Sequence, residues 1–300
     1  MTRMRGGFWQ QVLESDMTVP ATPPLNDLTA ELVSMLGSLD PVERSGIAYP
    51  VLATWLASGV YDDLLVSFGD GVATGLTVGL GEPNGERVFR RTFSALILAG
   101  CVTRDNAAHL LPVDAVVTWA DRGLTWLVRE VDLRGFVPQR GWAHAVAHGA
   151  DLIGALARNR HFNATELTVL LDVIADRLVA PTAYRLAHGE DGRLAYATMT
   201  ILHRDALPTD LLEAWVRRLD ATANRRPPDD LGPGDEWPAA AVQNTRSFLR
   251  AFYLQLAMGV HGHTPEDAAH FAGAPSARAD LLLMLRDAII PSLRSAGRQG

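Results

Sequence analysis

Lysine is absent from this chain: all 27 basic residues are arginine. That excludes a Schiff-base lysine and the lysine of a phosphate-binding Walker loop. We read the bias as genomic composition. Cysteine occurs once, at Cys101, so no intrachain disulfide can form. Its setting in the apolar run Ser94–Val102 predicts a small buried hydrophobe, not a nucleophile. Excess positive charge is also missing. The net charge of −7 and pI near 5.7 argue against nonspecific nucleic-acid binding, which needs a basic surface. No run approaches the roughly 20 apolar residues that span a bilayer. Arg3 and Arg5 precede no apolar core, so no secretory signal is expected at the start. The expectation is a soluble cytoplasmic protein, with neither a membrane nor a nucleic acid as partner.

Strand-like alternation is scarce, whereas helical periodicity is nearly continuous. It marks Leu28–Leu36, Tyr49–Leu56, Phe89–Leu98, Val113–Val128, Trp142–Ala157, Ala240–Met258 and Ala279–Ile290. Start signals recur. Asp40-Pro41-Val42-Glu43 offers an N-cap, a first-turn proline and a glutamate. Asn163-Ala164-Thr165-Glu166 reads as a capping box before Leu167–Val179, and Thr264-Pro265-Glu266-Asp267 repeats the logic. Pro208-Thr209-Asp210 opens Leu211–Leu219. Only Gly71–Leu80 is ambiguous, mixing Val and Thr with Gly. The expected fold is all-α: antiparallel helix pairs in an α-solenoid or HEAT-like α/α array, without a repeat at fixed period. Hydrophobic content of 48% over 300 residues supplies a sizeable core. Thr222–Pro238, rich in Pro, Asp and Gly, divides the expectation into a body (1–221), a linker or long loop (222–238) and C-terminal helices (239–300).

Residues able to do chemistry converge in one stretch, Arg134 to Asp151, which ends in His-x-x-x-His-x-x-Asp. At about 100° per residue, His144, His148 and Asp151 share a sector of about 60° on a helix, and Arg158 widens it to about 80°. Val146, Leu152, Ile153 and Leu156 lie opposite. Ala143, Ala147, Ala150, Gly154 and Ala157 form a small-residue flank. Two histidines one turn apart, with a carboxylate a turn further on, can hold a divalent metal such as zinc or iron. Without a metal, Asp151 can orient His144 or His148 as a general base. The competing reading is a mostly buried amphipathic helix with a narrow polar stripe. The glutamate of His-Glu-x-x-His is missing, so zinc-protease chemistry of that form is excluded.

Asp132 and Arg134 precede this stretch and can clamp an anionic substrate, although a salt-bridged loop is the commoner use of such a pair. Glu130 can add a metal ligand; more often such a residue is solvated. Trp142 is a candidate substrate contact, but the wheel puts it on the apolar side, where it serves the core. Gly149 in mid-helix suggests close approach of another backbone or of a ligand. His203 has nothing in the sequence to bring it near His144. His261-Gly262-His263, with His270 beyond, falls at a helix exit and reads as loop histidines. Gly79-Leu80-Gly81-Glu82 reads as a turn, and no Gly-x-Ser-x-Gly elbow occurs.

Several of these segments together resemble a bacterial family of unknown function, the DUF2785 proteins. They are Phe8-Trp9, Leu36-Gly37-Ser38-Leu39-Asp40-Pro41, Gly79-Leu80-Gly81-Glu82 and Val88-Phe89-Arg90-Arg91-Thr92-Phe93-Ser94, with Thr92 where serine is expected. The most specific block is Glu130-Val131-Asp132-Leu133-Arg134-Gly135-Phe136 running into Gly141–Asp151. The likeness reaches Arg204. It implies an α-helical fold and supplies no activity. Two functions follow for the histidine stretch: a pocket for metal-assisted or His/Asp acid–base chemistry on a small molecule, or a noncatalytic helical scaffold that binds a peptide or protein on its concave face.

Overall fold

The computed structural model describes residues 7–226, 239–262 and 264–296. They divide between His161 and Phe162 into two compact units. In the first, α1 (Phe8–Glu14) and α2 (Leu25–Met35) lead to a π-helical segment, Val42–Ala48. Then come α3 (Tyr49–Ala57), α4 (Leu65–Ala73), α5 (Val88–Ala108) and α6 (Val113–Arg129). A two-stranded hairpin, β1 (Phe136–Val137) and β2 (Gly141–Trp142), precedes α7 (Ala145–Ala157). The second unit holds α8 (Ala164–Val179), α9 (Glu190–Leu202), α10 (Thr209–Ala223), α11 (Ala240–Met258), the short α12 (Pro265–His270) and α13 (Arg278–Ala296). The chain is an all-α array, as its periodicity predicts.

The π-helix has a local cause. Asp40 accepts from the Val42 N–H at 2.8 Å, so the predicted cap forms. Pro50, one residue into α3, has no N–H to donate back to Gly46. An ordinary α-turn cannot close there, and the preceding turn is wide.

Helix α5 is the axis of the first unit, packed on α3, α4 and above all α7. Buried Val116, Trp119, Ala120, Gly123, Leu124 and Leu127 give α6 the three-and-four spacing of an amphipathic helix. Two glycines let α6 and α7 close up. A Cβ on Gly123 would lie 2.4 Å from Leu152, and one on Gly149 would lie 2.6 Å from Leu127. The mid-helix Gly149 therefore answers to a neighbouring side chain. At the far end, Asp105 gathers the Leu111 N–H (2.7 Å), Asn159 (2.8 Å) and Arg160 (2.9 Å), fastening the C-terminus of α5 beside that of α7.

In the second unit α11 is the axis, in contact with α8, α9, α10 and α13. The capping box opening α8 forms as predicted: Asn163 accepts from the Thr165 N–H at 2.8 Å, and Glu166 accepts from the Asn163 N–H at 2.9 Å. Thr264 caps α12 through the Asp267 N–H.

The two compact units divide elsewhere than at the predicted 222–238 linker. Helices α10 and α11 flank that segment, pack on each other and both meet α13. Thr222 and Ala223 complete α10, and residues 227–238 lie outside the described residues. Gly71–Leu80 resolves into the end of α4, a 3-10 turn (Thr74–Thr77) and a turn at Gly79–Gly81. No single helix among the described residues is long and apolar enough to cross a membrane.

Candidate functional site

The site grows from a buried ion pair at the exit of α6. Arg91 of α5 and Glu130 have fully buried side chains and pair through two bonds, Nε to Oε2 at 2.6 Å and Nη2 to Oε1 at 2.9 Å. Arg91 Nη1 donates to the Val78 and Gly79 carbonyls, both at 2.9 Å. Glu130 also accepts from Trp126 Nε1 at 2.9 Å and from the Asp132 N–H at 3.0 Å. Such a pair tolerates burial because its remaining donors and acceptors are satisfied. Glu130 is thus neither solvated nor a metal ligand but a brace, whose partner lies 39 residues earlier.

From there the chain is steered into the hairpin. Asp132, fully buried, accepts from Arg134 Nε at 2.8 Å and Nη2 at 2.6 Å, and Arg134 Nη2 also donates to the Gly85 carbonyl at 2.9 Å. The pair is the salt-bridged loop, not an open anion clamp. Pro138 follows Val137, Gln139 has φ +62°, and the Arg140 N–H returns to the Val137 carbonyl at 3.0 Å. This is the arrangement of a type II turn. Gly141, at φ +76°, lies where a Cβ would stand 3.1 Å from Pro41 and 3.3 Å from Arg44 Nη2. Val137 packs inward on Val88, Phe89 and Ala143. The Ala143 N–H bonds the Gly135 carbonyl (2.8 Å), and the His144 N–H bonds the Arg134 carbonyl (3.1 Å).

The predicted helix therefore starts three residues late. His144 is not on it: it is the N-cap, in the left-handed region at φ 52°, ψ 41°. A side chain pays about 1–2 kcal/mol to sit there. The reason is competing demand, since its N–H closes the hairpin while its carbonyl accepts from the His148 N–H at 2.9 Å. The helical wheel holds for His148 and Asp151 but not for His144. Trp142 is corrected too. It lies on β2, 41% exposed, with its ring 5.0 Å from Phe136 and 4.2 Å from His144.

His148 is 7% exposed and fixed from two sides. Its Nδ1 lies 3.1 Å from the Thr92 carbonyl, and its ring meets the edge of Phe93 at 5.1 Å. A carbonyl only accepts, so Nδ1 carries the hydrogen. The two histidine rings lie 6.0 Å apart, and His144 Nε2 is buried. Asp151, half-buried, follows His148 by one turn of α7, and Arg158 is the C-cap residue of that helix.

Among the described residues no group of three or more His, Cys, Asp or Glu is placed to hold a metal ion. The local geometry explains this for the predicted set. His144 is off the helix, so it does not share the helical stripe of His148 and Asp151. What the site offers instead is two imidazoles beside an exposed aromatic pair.

The residue that the sequence reading missed is Arg44. It is fully buried in the π-helix, with its guanidinium carbon 4.0 Å from the Phe89 centroid and 5.2 Å from that of Phe93. It donates to the Ser38 and Arg140 carbonyls. Burial draws its pKa down to about 10 against the opposing pull of Asp40, so it remains a cation at neutral pH. Only its place beside the Asp40-Pro41 cap hinted at it.

Elsewhere, Cys101 is buried and burial pushes its thiol far up, which makes it inert as a thiolate. His203 belongs to the second unit, its ring 6.0 Å from His270 and 5.1 Å from Phe271. His261 is an exposed loop residue as predicted, and His263 lies outside the described residues.

Neither the curated proteins nor the solved structures hold a match to this chain. A protein family does match, described as a protein of unknown function, DUF2785, over residues 76–254. The matched region takes in the α5 segment, the ion pair, the hairpin and α7, and extends past Arg204 into α11. The resembling pieces at Phe8-Trp9 and Leu36–Pro41 lie before it. With more than half of its length matched, the chain belongs to the DUF2785 family.

Proposed function

We propose that the junction of the hairpin and α7 binds a small molecule, with Trp142 as the flat contact and His144 and His148 as its polar contacts. The observation that carries this is the fixed state of His148. A carbonyl sets its tautomer and an aromatic edge sets its ring plane, beside a second histidine held in a strained backbone conformation. Strain of this kind persists where the surroundings over-determine it, and it clusters at ligand sites. An imidazole can exchange a proton with a bound hydroxyl or amine, which makes acid–base chemistry the reaction class if the ligand turns over. The Asp132–Arg134 pair supports the hairpin from behind.

A library of planar and sugar-like metabolites, followed by thermal shift and by proton NMR of the ligands, tests this. Hits should stabilise the wild type and lose that effect in Trp142→Ala and His148→Gln variants that remain folded. Change of a bound ligand with time marks an enzyme; unchanged ligand marks a binding protein. Stabilisation equal in all three proteins would overturn the assignment.

A second reading rests on the exposure of Phe136 (48%) beside Trp142 (41%). An outward aromatic pair also suits a peptide or protein partner. In that case no small molecule binds, and Phe136→Ala weakens partner binding as much as Trp142→Ala does.

A further inference from the structure

We infer that Arg44 is a positioning residue for this site, joining the hairpin to Phe93, the ring that meets His148. Three contacts meet at one guanidinium. One nitrogen donates to the Arg140 carbonyl in the hairpin turn, and another donates to the Ser38 carbonyl before the π-helix. The flat face lies over Phe89 and Phe93 of α5. Phe93 in turn presents its ring to His148, and the neighbouring Thr92 carbonyl takes the His148 Nδ1 hydrogen.

The remaining nitrogen, Nε, is buried without a hydrogen-bond partner among the described residues. A side chain that served stability alone would be replaced more cheaply by an apolar one. Planar geometry explains the choice of arginine, since only a fork can serve two carbonyls and lie flat on two rings. The hairpin is shaped to receive it: Gly141 leaves room for Arg44 Nη2, which any Cβ there would crowd at 3.3 Å. The wide π-turn brings the side chain inward, and such turns recur at functional sites.

The inference rests on the proposed ligand site only for its purpose. The test therefore uses the ligand-free protein and two readouts, amide exchange in the hairpin and the side-chain ¹⁵N NMR pattern of His148. In Arg44→Met, exchange at Ala143 and His144 should quicken by about tenfold or more, while amides of α11 stay unchanged. The His148 pattern should move from the Nδ1-protonated form to a tautomer average. Arg44→Lys, which keeps a cation over the rings and reaches one carbonyl, should restore the His148 pattern in part.

Gly141→Ala attacks the same contact from the hairpin side without removing a buried charge. It should shift both readouts in the same direction, and it decides the matter if Arg44→Met does not fold. A wild-type His148 pattern in a folded Arg44→Met, or in Gly141→Ala with a loosened hairpin, would overturn the inference. Failure here leaves the ligand site standing, and failure of the ligand screen leaves this result standing.

Discussion

The two units are wired differently. In the first, a buried cation meets a buried carboxylate where Arg91 grips Glu130, and the buried Asp105 is gripped by Asn159 and by Arg160 from the surface. In the second, which also holds the buried charges Arg177 and Glu190, several polar side chains answer to the backbone. Trp215 donates to the Leu171 carbonyl at 2.7 Å, Asn244 serves both the Tyr184 carbonyl and the Leu186 N–H at 2.9 Å, and Arg278 holds two carbonyls at the end of α11. Bonds to backbone ends finish helices and demand little of their neighbours. A buried ion pair gives rigid geometry at high risk, because losing one partner strands the other. The Arg91–Glu130 pair lies just before the chain makes a hairpin, a left-handed histidine and a helix start in immediate succession. The Arg91–Glu130 pair thus belongs to the unit that holds the proposed site.

The largest break in that contrast should come from Arg91→Met. It leaves Glu130 buried without its cation and should cost about 3–5 kcal/mol, read by chemical denaturation. A double variant that also removes the Glu130 charge should recover part of the loss. Asp105→Asn should cost about 2 kcal/mol, the worth of hydrogen bonds to a charged group. Its effect should depend on pH. Burial raises the Asp105 pKa, but the Leu111 N–H, Asn159 and Arg160 outweigh it and hold the carboxyl below its ordinary value. The folded pKa is depressed, so the stabilisation is full above the unfolded carboxylate pKa of about 3.9 and fades as pH falls through the lower folded value. Melting of wild type and Asp105→Asn should accordingly converge below about pH 4.

Trp215→Phe tests the other unit. It removes one bond to a carbonyl that is already in a helix and should cost about 1 kcal/mol. A loss as large as that of Arg91→Met would erase the distinction between the units. The smallest effect concerns His203. Burial lowers its pKa and Asp205 raises it, with burial winning. The neutral form is favoured in the fold, so stability is full above the unfolded value of about 6.5 and declines as pH falls from there toward the folded pKa. Amide protection factors in α9 and α12, taken relative to the intrinsic rate at each pH, should fall across that window, and His203→Gln should flatten the dependence.

Most helices were legible because local signals are enough for them. Ala240–Met258 shows its whole span as periodicity, and Asn163 with Glu166 announces the start of α8 within four residues. The site was legible in part. His148 and Asp151 fall on α7 as predicted, and Gly149 marks a close approach. The error at His144 and Trp142 has a physical source: strands of two residues are too short to show alternation, so the helical period ran on through them. The turn signal was present in Pro138 and Gly141. Glu130 and Arg44 were misjudged or missed for another reason. Their partners lie 39 and 96 residues away, and no local pattern reveals a bond across that distance.

The most direct test is a small-molecule screen on isotopically labelled protein, read at the side-chain resonances of Trp142, His144 and His148. The account predicts hits that move these three resonances first, with His148 in its Nδ1-protonated form before the ligand arrives. Hits that leave all three unmoved while shifting resonances elsewhere would contradict it.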